Sequence, residues 1–236
     1  MKEYELKYIT EEIEQFQLLE KIIKALTNNK FKILSIIEKE NNDKYFDTTD
    51  LSFYKRKSSL RIRESITEEN FEYKGTYKIP LDLETIYFSR TEIECDLTDD
   101  NISSFNEEIN KILLVDFKNI ANIPILVLKN SRCDVLLEKD NKQVCLSVDD
   151  IVYKNKILGS EATDTMIEIE SVNEECNNLL SEINNIIISI IPELEINKQS
   201  KYERGINKTL ENYKNNLEEK NIELLIKKLK KDDYHW

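Results

Sequence analysis

Histidine is almost missing from this chain: His235 is the only one in 236 residues. A zinc hydrolase or a Cys–His nucleophile normally needs a positioned imidazole, so neither chemistry suits this composition. The four cysteines, Cys95, Cys133, Cys145 and Cys176, are widely separated and form no CxxC or Cys/His ligand pattern, and they read as buried reduced thiols. Three glycines and three prolines leave little material for long flexible linkers, which predicts one main domain. The sequence also lacks an apolar run near the roughly 18 residues that mark a membrane span. It opens on charged Lys2 and Glu3 rather than a signal peptide, so the expected location is cytoplasmic, without a membrane partner. Finally, positive charge is in deficit. A formal charge of −12 repels nucleic-acid phosphate, which excludes nucleic acid as the expected partner and requires that any polyanion meet a local basic cluster.

What is present is patterned. Glu3 to Ile9 alternates as a strand, and Phe16, Leu19, Ile22, Ile23 and Leu26 then recur at helical spacing. Extended segments are predicted at residues 31–40, 43–48, 58–64, 71–79 and 87–97, and again at 125–130, 133–139, 143–153 and 165–172. Helices are predicted over 102–113, over 174–191 ahead of Pro192, and over much of 207–231. Turn signals stand at Asp140-Asn141 and Gly159-Ser160. The basic run Lys227 to Lys231 reads as a solvated helix end, where cations complement the helix dipole.

Side chains alternate faces along a strand, so Glu3, Glu5 and Lys7 project together while Tyr4 and Leu6 project oppositely. One such strand means little, because antiparallel sheets often carry a solvated polar face. The pattern gains weight by repetition: Arg61 with Arg63, Glu92 with Glu94, and Glu168 with Glu170 each share one face while apolar neighbours share the other. Lys78, Arg132, Asp149 and Lys201 lie in or beside similar segments. If the strands close into a barrel, apolar faces can meet helices outside and ionic faces line a wet interior. Lys7, Arg61, Arg63, Lys78, Arg132 and Lys201 could then form charge-assisted hydrogen bonds to a linear triphosphate. Mg²⁺ or Mn²⁺ prefers oxygen donors, which paired Glu residues and Asp149 supply without His or Cys.

Glu3-Tyr4-Glu5-Leu6-Lys7 matches ExExK, the N-terminal signature of the CYTH superfamily, or triphosphate tunnel metalloenzymes. The chain resembles that family further in Tyr45-Phe46-Asp47-Thr48, Leu60-Arg61-Ile62-Arg63, Tyr77-Lys78-Ile79-Pro80, Arg90-Thr91-Glu92-Ile93-Glu94, Arg132, Asp149, Glu168-Ile169-Glu170 and Ser200-Lys201-Tyr202. The resemblance covers residues 1–206 and leaves 207–236 as a helical extension.

The resemblance implies an α+β fold: an antiparallel eight-stranded β-barrel, or tunnel, with surrounding helices. It implies Glu5, Glu168 and Glu170 as leading metal ligands, with Glu3, Glu92, Glu94 and Asp149 at a second site or positioning water. Glu5, Lys7, Glu168 and Glu170 form the expected catalytic set. Lys7, Arg61, Arg63, Lys78, Arg132 and Lys201 are the expected phosphate-binding residues, though Lys74 shares strand parity with Lys78 and could be the inward lysine. Arg90 could bind phosphate or pair with a carboxylate; Asp47 and Asp50 read as turn-organising residues. The expected reaction is divalent-metal-dependent hydrolysis of a small triphosphate, foremost inorganic tripolyphosphate, by a monomer or homodimer. Nucleoside or thiamine triphosphate hydrolysis, adenylyl cyclase chemistry and a non-catalytic polyphosphate-binding module are the alternatives.

Overall fold

The computed structural model describes residues 2–10, 13–82, 88–113, 120–171 and 177–232. The alternating segments become strands β1 (Lys2–Thr10), β2 (Lys32–Phe46), β3 (Ser59–Ile66), β4 (Phe71–Asp82), β5 (Phe88–Leu97), β6 (Leu126–Lys139), β7 (Lys142–Asn155), β8 (Ser160–Ser171) and the short β9 (Glu195–Ile196). They form one antiparallel sheet in the order β5-β4-β3-β2-β6-β7-β8-β1-β9. β5 also returns to β1, pairing Phe88–Thr91 with Lys2–Glu5, so eight strands close on themselves. β9 pairs with β1 further along, at Tyr8 and Ile9. The expected α+β barrel is the observed architecture.

Closure sorts side chains by parity. Leu6, Val135, Leu137, Val144, Leu146, Val148, Ile167 and Ile169 point out into one core, where α1 (Gln15–Asn28) contributes Leu18, Ile22 and Leu26, and α4 (Asn177–Ile190) contributes Leu180, Ile183 and Ile187. Each helix buries one stripe at three- and four-residue spacing, whereas Phe16, counted on the apolar stripe of α1 by the sequence, is 76% exposed. A second outer core joins Leu60, Ile62 and Tyr77 to Ile102 and Phe105 of α3 (Ile102–Leu113). Gly75 of β4 lies under that helix, and a Cβ there would stand 2.4 Å from the Phe105 ring.

Two pairs of predicted strands are single strands. β2 runs through residues 41–42 and β6 through 131–132, the gaps between the expected segments. Asn41 and Arg132 meet partners inside the barrel instead: Asn41 Oδ1 accepts from Ser65 Oγ at 2.8 Å, and Arg132 Nε donates to Asp149 at 2.6 Å. The Asp140-Asn141 signal is realised as a two-residue hairpin joining β6 to β7, with φ of 52° and 60°. The four-residue α2 (Ser52–Lys55) and β9 have no counterpart in the sequence reading. α5 (Lys201–Asp232) starts before residue 207 and runs unbroken through the 206/207 boundary.

α5 packs on one end of the barrel. Tyr202 and Ile206 join inward-facing Tyr45, Leu126, Leu128, Ile151, Tyr153 and Met166 in a third core. Gly205 permits this approach, since a Cβ there would lie 2.5 Å from the Tyr153 ring and 2.6 Å from Leu126. Cys133 is buried and Cys95 and Cys145 are half-buried thiols; Cys176 lies outside the described residues. No described helix is long and apolar enough to cross a membrane.

Candidate active site

The inner face of the barrel holds a cavity of about 140 Å³ lined almost entirely by ionic side chains. β1 sends in Glu5 and Lys7, which face Glu170 and Glu168 of β8 in direct register. β5 sends in Arg90, Glu92 and Glu94; β4, Lys78; β3, Arg61 and Arg63; β6, Arg132. Ser200 accepts the Glu203 backbone N–H at 3.0 Å and so caps α5, which places Lys201 in the cavity and turns Tyr202 onto the neighbouring core. Tyr45, Ser59 and Ser200 complete the lining.

Every cation here meets a carboxylate. Asp149, fully buried, accepts from Arg132 Nε at 2.6 Å and Asn130 Nδ2 at 2.9 Å on one oxygen, and from Arg132 Nη2 at 2.7 Å and Lys201 Nζ at 2.6 Å on the other. Glu168 accepts from Lys201 at 2.7 Å and from Arg132, with Lys7 at 3.7 Å. Asp43, also fully buried, holds Arg63 in a fork at 2.6 and 2.7 Å and Arg61 at 3.4 Å. Lys78 pairs with Glu92.

Burial alone would push these carboxyls up, but the guanidinium and ammonium groups outweigh it. Asp43 is held well below the usual range by Arg63 and Arg61, Asp149 is lowered by Arg132 and Lys201, and Glu168 by Lys201, Arg132 and Lys7. Burial and neighbouring Arg132 depress Lys201, yet Asp149 and Glu168 carry it above its ordinary value.

The structure therefore gathers Glu5, Lys7, Arg61, Arg63, Lys78, Glu92, Glu94, Arg132, Glu168, Glu170 and Lys201 around one cavity. Asp149 lies behind it, anchoring Arg132 and Lys201. Glu3 is described only by its backbone register opposite Arg90; its side chain lies outside the described residues. Lys78 lines the cavity, whereas Lys74 stands 4.0 Å from Glu94 with its side chain about a third exposed.

Arg90, left undecided by the sequence, is buried 3.0 Å from Glu5 Oε1 and lines the cavity. Asp43 was not singled out, although it shares strand parity with Tyr45 two positions on. Asp47 organises its turn as expected, accepting from the backbone N–H of Thr48, Phe53 and Tyr54.

Glu5, Glu168 and Glu170 each present an oxygen within 4.8 Å of the others. Glu5 Oε1 is buried, 2.5 Å from Lys7 Nζ, yet makes no hydrogen bond of good geometry. Three clustered carboxylate donors, one of them a buried oxygen contacted by two cations without a well-aligned hydrogen bond, fit a hard divalent cation.

The CYTH domain matches residues 1–206. The fold is similar to that of the PH1819 protein from Pyrococcus horikoshii OT3, with a TM-score of 0.54 and 20% identity over 87% of this chain and 99% of that one. It is also similar to HpAC1 from Hippeastrum, a candidate adenylyl cyclase with a dominant triphosphatase activity. There the TM-score is 0.57 and the identity 18%, over 88% of this chain and 96% of that one. No curated protein matches the sequence.

Proposed function

The chain belongs to the CYTH family, and on that premise we propose that it hydrolyses a small triphosphate, inorganic tripolyphosphate foremost, with Mg²⁺ or Mn²⁺ as cofactor. The observation that carries this reading is the charge balance of the barrel interior. Among the described residues, Lys7, Arg61, Arg63, Lys78, Arg90, Arg132 and Lys201 line the cavity with Glu5, Glu92, Glu94, Glu168 and Glu170, and Asp43 and Asp149, paired with Arg61, Arg63, Arg132 and Lys201 behind that lining, bring these carboxylates to seven as well. An incoming triphosphate adds several negative charges to a site already neutral, so cations must enter with it.

In this reading Lys7, Arg61, Arg63, Lys78, Arg132 and Lys201 grip phosphate oxygens through charge-assisted hydrogen bonds, exchanging part of their present carboxylate contacts for substrate. Arg90 joins them. Glu5, Glu168 and Glu170 hold the divalent cation, and Glu92 and Glu94, with Glu3, attend a second position. The doubly engaged oxygens of Asp149 favour an anchoring role for that residue. A divalent cation so held supplies charge neutralisation and Lewis acidity.

Water attacks the terminal phosphorus as the bond to the bridging oxygen breaks, releasing phosphate and pyrophosphate. The cationic row stabilises charge on the leaving pyrophosphate while fixed geometry keeps the three phosphates in line. No covalent protein nucleophile is required. Residues 1–206 form the catalytic unit in this proposal, and 207–236 an extension.

Among the described residues, Tyr45 is the single aromatic side chain in the cavity lining, which favours tripolyphosphate over nucleotides. The triphosphatase activity named for the Hippeastrum protein is in keeping with hydrolysis rather than cyclisation. The test is to offer purified protein tripolyphosphate, ATP and thiamine triphosphate with Mg²⁺ or Mn²⁺ while following phosphate, pyrophosphate and cyclic AMP separately. Equimolar phosphate and pyrophosphate from tripolyphosphate is the expected result. Cyclic AMP with pyrophosphate from ATP would replace it with cyclase chemistry, and binding without turnover would reduce the chain to a module.

A further inference from the structure

Asp47 is buried, lies outside the cavity lining, and has more partners than a turn needs. Its Oδ1 accepts the Thr48 N–H at 2.7 Å and the Phe53 N–H at 2.9 Å, and its Oδ2 accepts the Tyr54 N–H at 2.9 Å. Those three donors suffice to cap the loop and the start of α2. The fourth partner comes from the far side of the sequence: Tyr202 Oη donates to Oδ2 at 2.8 Å. Tyr202 follows Lys201 directly in the first turn of α5.

The same loop grips α5 again further along, where Tyr54 Oη donates to Asn207 Oδ1 at 2.6 Å. The Tyr202 ring stacks on Tyr45, with centroids 5.3 Å apart and planes 12° apart, and Tyr45 itself lines the cavity. Tyr54 meets Tyr202 edge-on at 6.3 Å. The tyrosine that faces the cavity, the helix that carries Lys201 and the loop after β2 are thus tied at one carboxylate.

We propose that Asp47 is a positioning residue: through the Tyr202 hydroxyl it fixes the first turn of α5 and with it the place of Lys201 inside the cavity. Its charge stays out of the chemistry. A buried carboxyl that accepts from three backbone N–H groups and a hydroxyl is fixed on both oxygens, which suits a residue that must hold a helix start in register with eight strands. That Lys201 grips phosphate rests on the proposed function; that Asp47 and Tyr202 hold Lys201 in place does not.

Tyr202→Phe removes the hydroxyl and keeps the ring stack, so it tests the link with little disturbance of packing. In the protein without substrate, modification of lysine amines by an acylating reagent is followed residue by residue with mass spectrometry. Lys201 is expected to react about fivefold faster in the variant, as for loss of one hydrogen bond, while Lys7, buried on β1, keeps its wild-type rate. Asp47→Asn should give the same pattern. An unchanged Lys201 rate, or equal acceleration of Lys7, overturns the proposal.

Binding of tripolyphosphate with Mg²⁺, measured by calorimetry, should weaken about fivefold in Tyr202→Phe with kcat unchanged. The same substitution should add nothing in a Lys201→Ala background. Full additivity there overturns the link to Lys201. If the wild-type protein does not bind tripolyphosphate, the proposed function fails, and the labelling rates still decide the role of Asp47.

Discussion

Arg61 and Arg63 stand on one face of β3 and share Asp43, but they share it unequally. Arg63 holds the carboxylate in a fork, while Arg61 reaches it at 3.4 Å and is also 3.2 Å from Thr76 Oγ1. Removing Arg61 therefore leaves Asp43 neutralised. Arg61→Ala should raise KM for the triphosphate by about tenfold or more, the loss of a charge-assisted contact, with a small change in Tm. Arg63→Ala leaves a buried carboxylate with only a long contact and should cost about 3–5 kcal/mol of stability, measured by denaturant unfolding. Equal stability losses for the two would contradict this division. Glu170→Gln should lower kcat with little effect on unfolding, because it removes a proposed cation ligand from a half-buried position.

Asp43 also sets an acid limb: its folded pKa is depressed, so its contribution to stability is fully present above the ordinary carboxylate value of about 3.9 and is lost as pH falls below it. Asp43→Asn should flatten that part of the stability profile below about pH 4. These roles were unevenly legible. Glu5, Lys7, Glu168 and Glu170 could be placed on an inner face from parity alone, which is a local property of each strand. Asp43 could not be linked to Arg63, because that contact depends on the β2–β3 register, which sets the two residues directly opposite.

At the level of elements, the expected strands stop short at residues 40–43 and 130–133, where β2 and β6 run on. Asn41 and Arg132 look like strand breakers in a one-sided sheet but lie mid-strand in β2 and β6. The start of α5 was hidden for a related reason. Ser200-Lys201-Tyr202 reads as a site motif, and a motif carries no mark of being the first turn of a helix. Gly205 shows what that helix requires. Gly205→Ala drives a Cβ into Tyr153 and Leu126 and should cost about 1–3 kcal/mol, with KM rising because Lys201 lies one turn away. Gly159→Ala provides the contrast: its φ of 64° is unfavourable to a side chain but nothing lies within 4 Å. A loss of about 1 kcal/mol with KM unchanged is expected there. A KM shift in Gly159→Ala equal to that in Gly205→Ala would dissociate KM from the seating of α5.

For the whole molecule, the neutral interior sits inside a chain of formal charge −12. Both features favour divalent cations over a bare polyanion. Thermal unfolding should therefore show synergy. Mg²⁺ with tripolyphosphate should raise Tm by more than the sum of the separate shifts, and a pair at about 100 times its Kd stabilises by about 2.7 kcal/mol. Tripolyphosphate alone reproducing the full shift would contradict the charge argument.

The place of Lys201 in chain order has a consequence in time. All eight barrel strands precede α5, and closure of the ring already waits for β8 to reach β1. During synthesis the barrel can close before the helix that carries the last cation has left the ribosome. A chain halted short of residue 201 would lack both that cation and the Tyr202 and Ile206 side chains that complete the third core, so seating of α5 brings packing and charge to the cavity in one step.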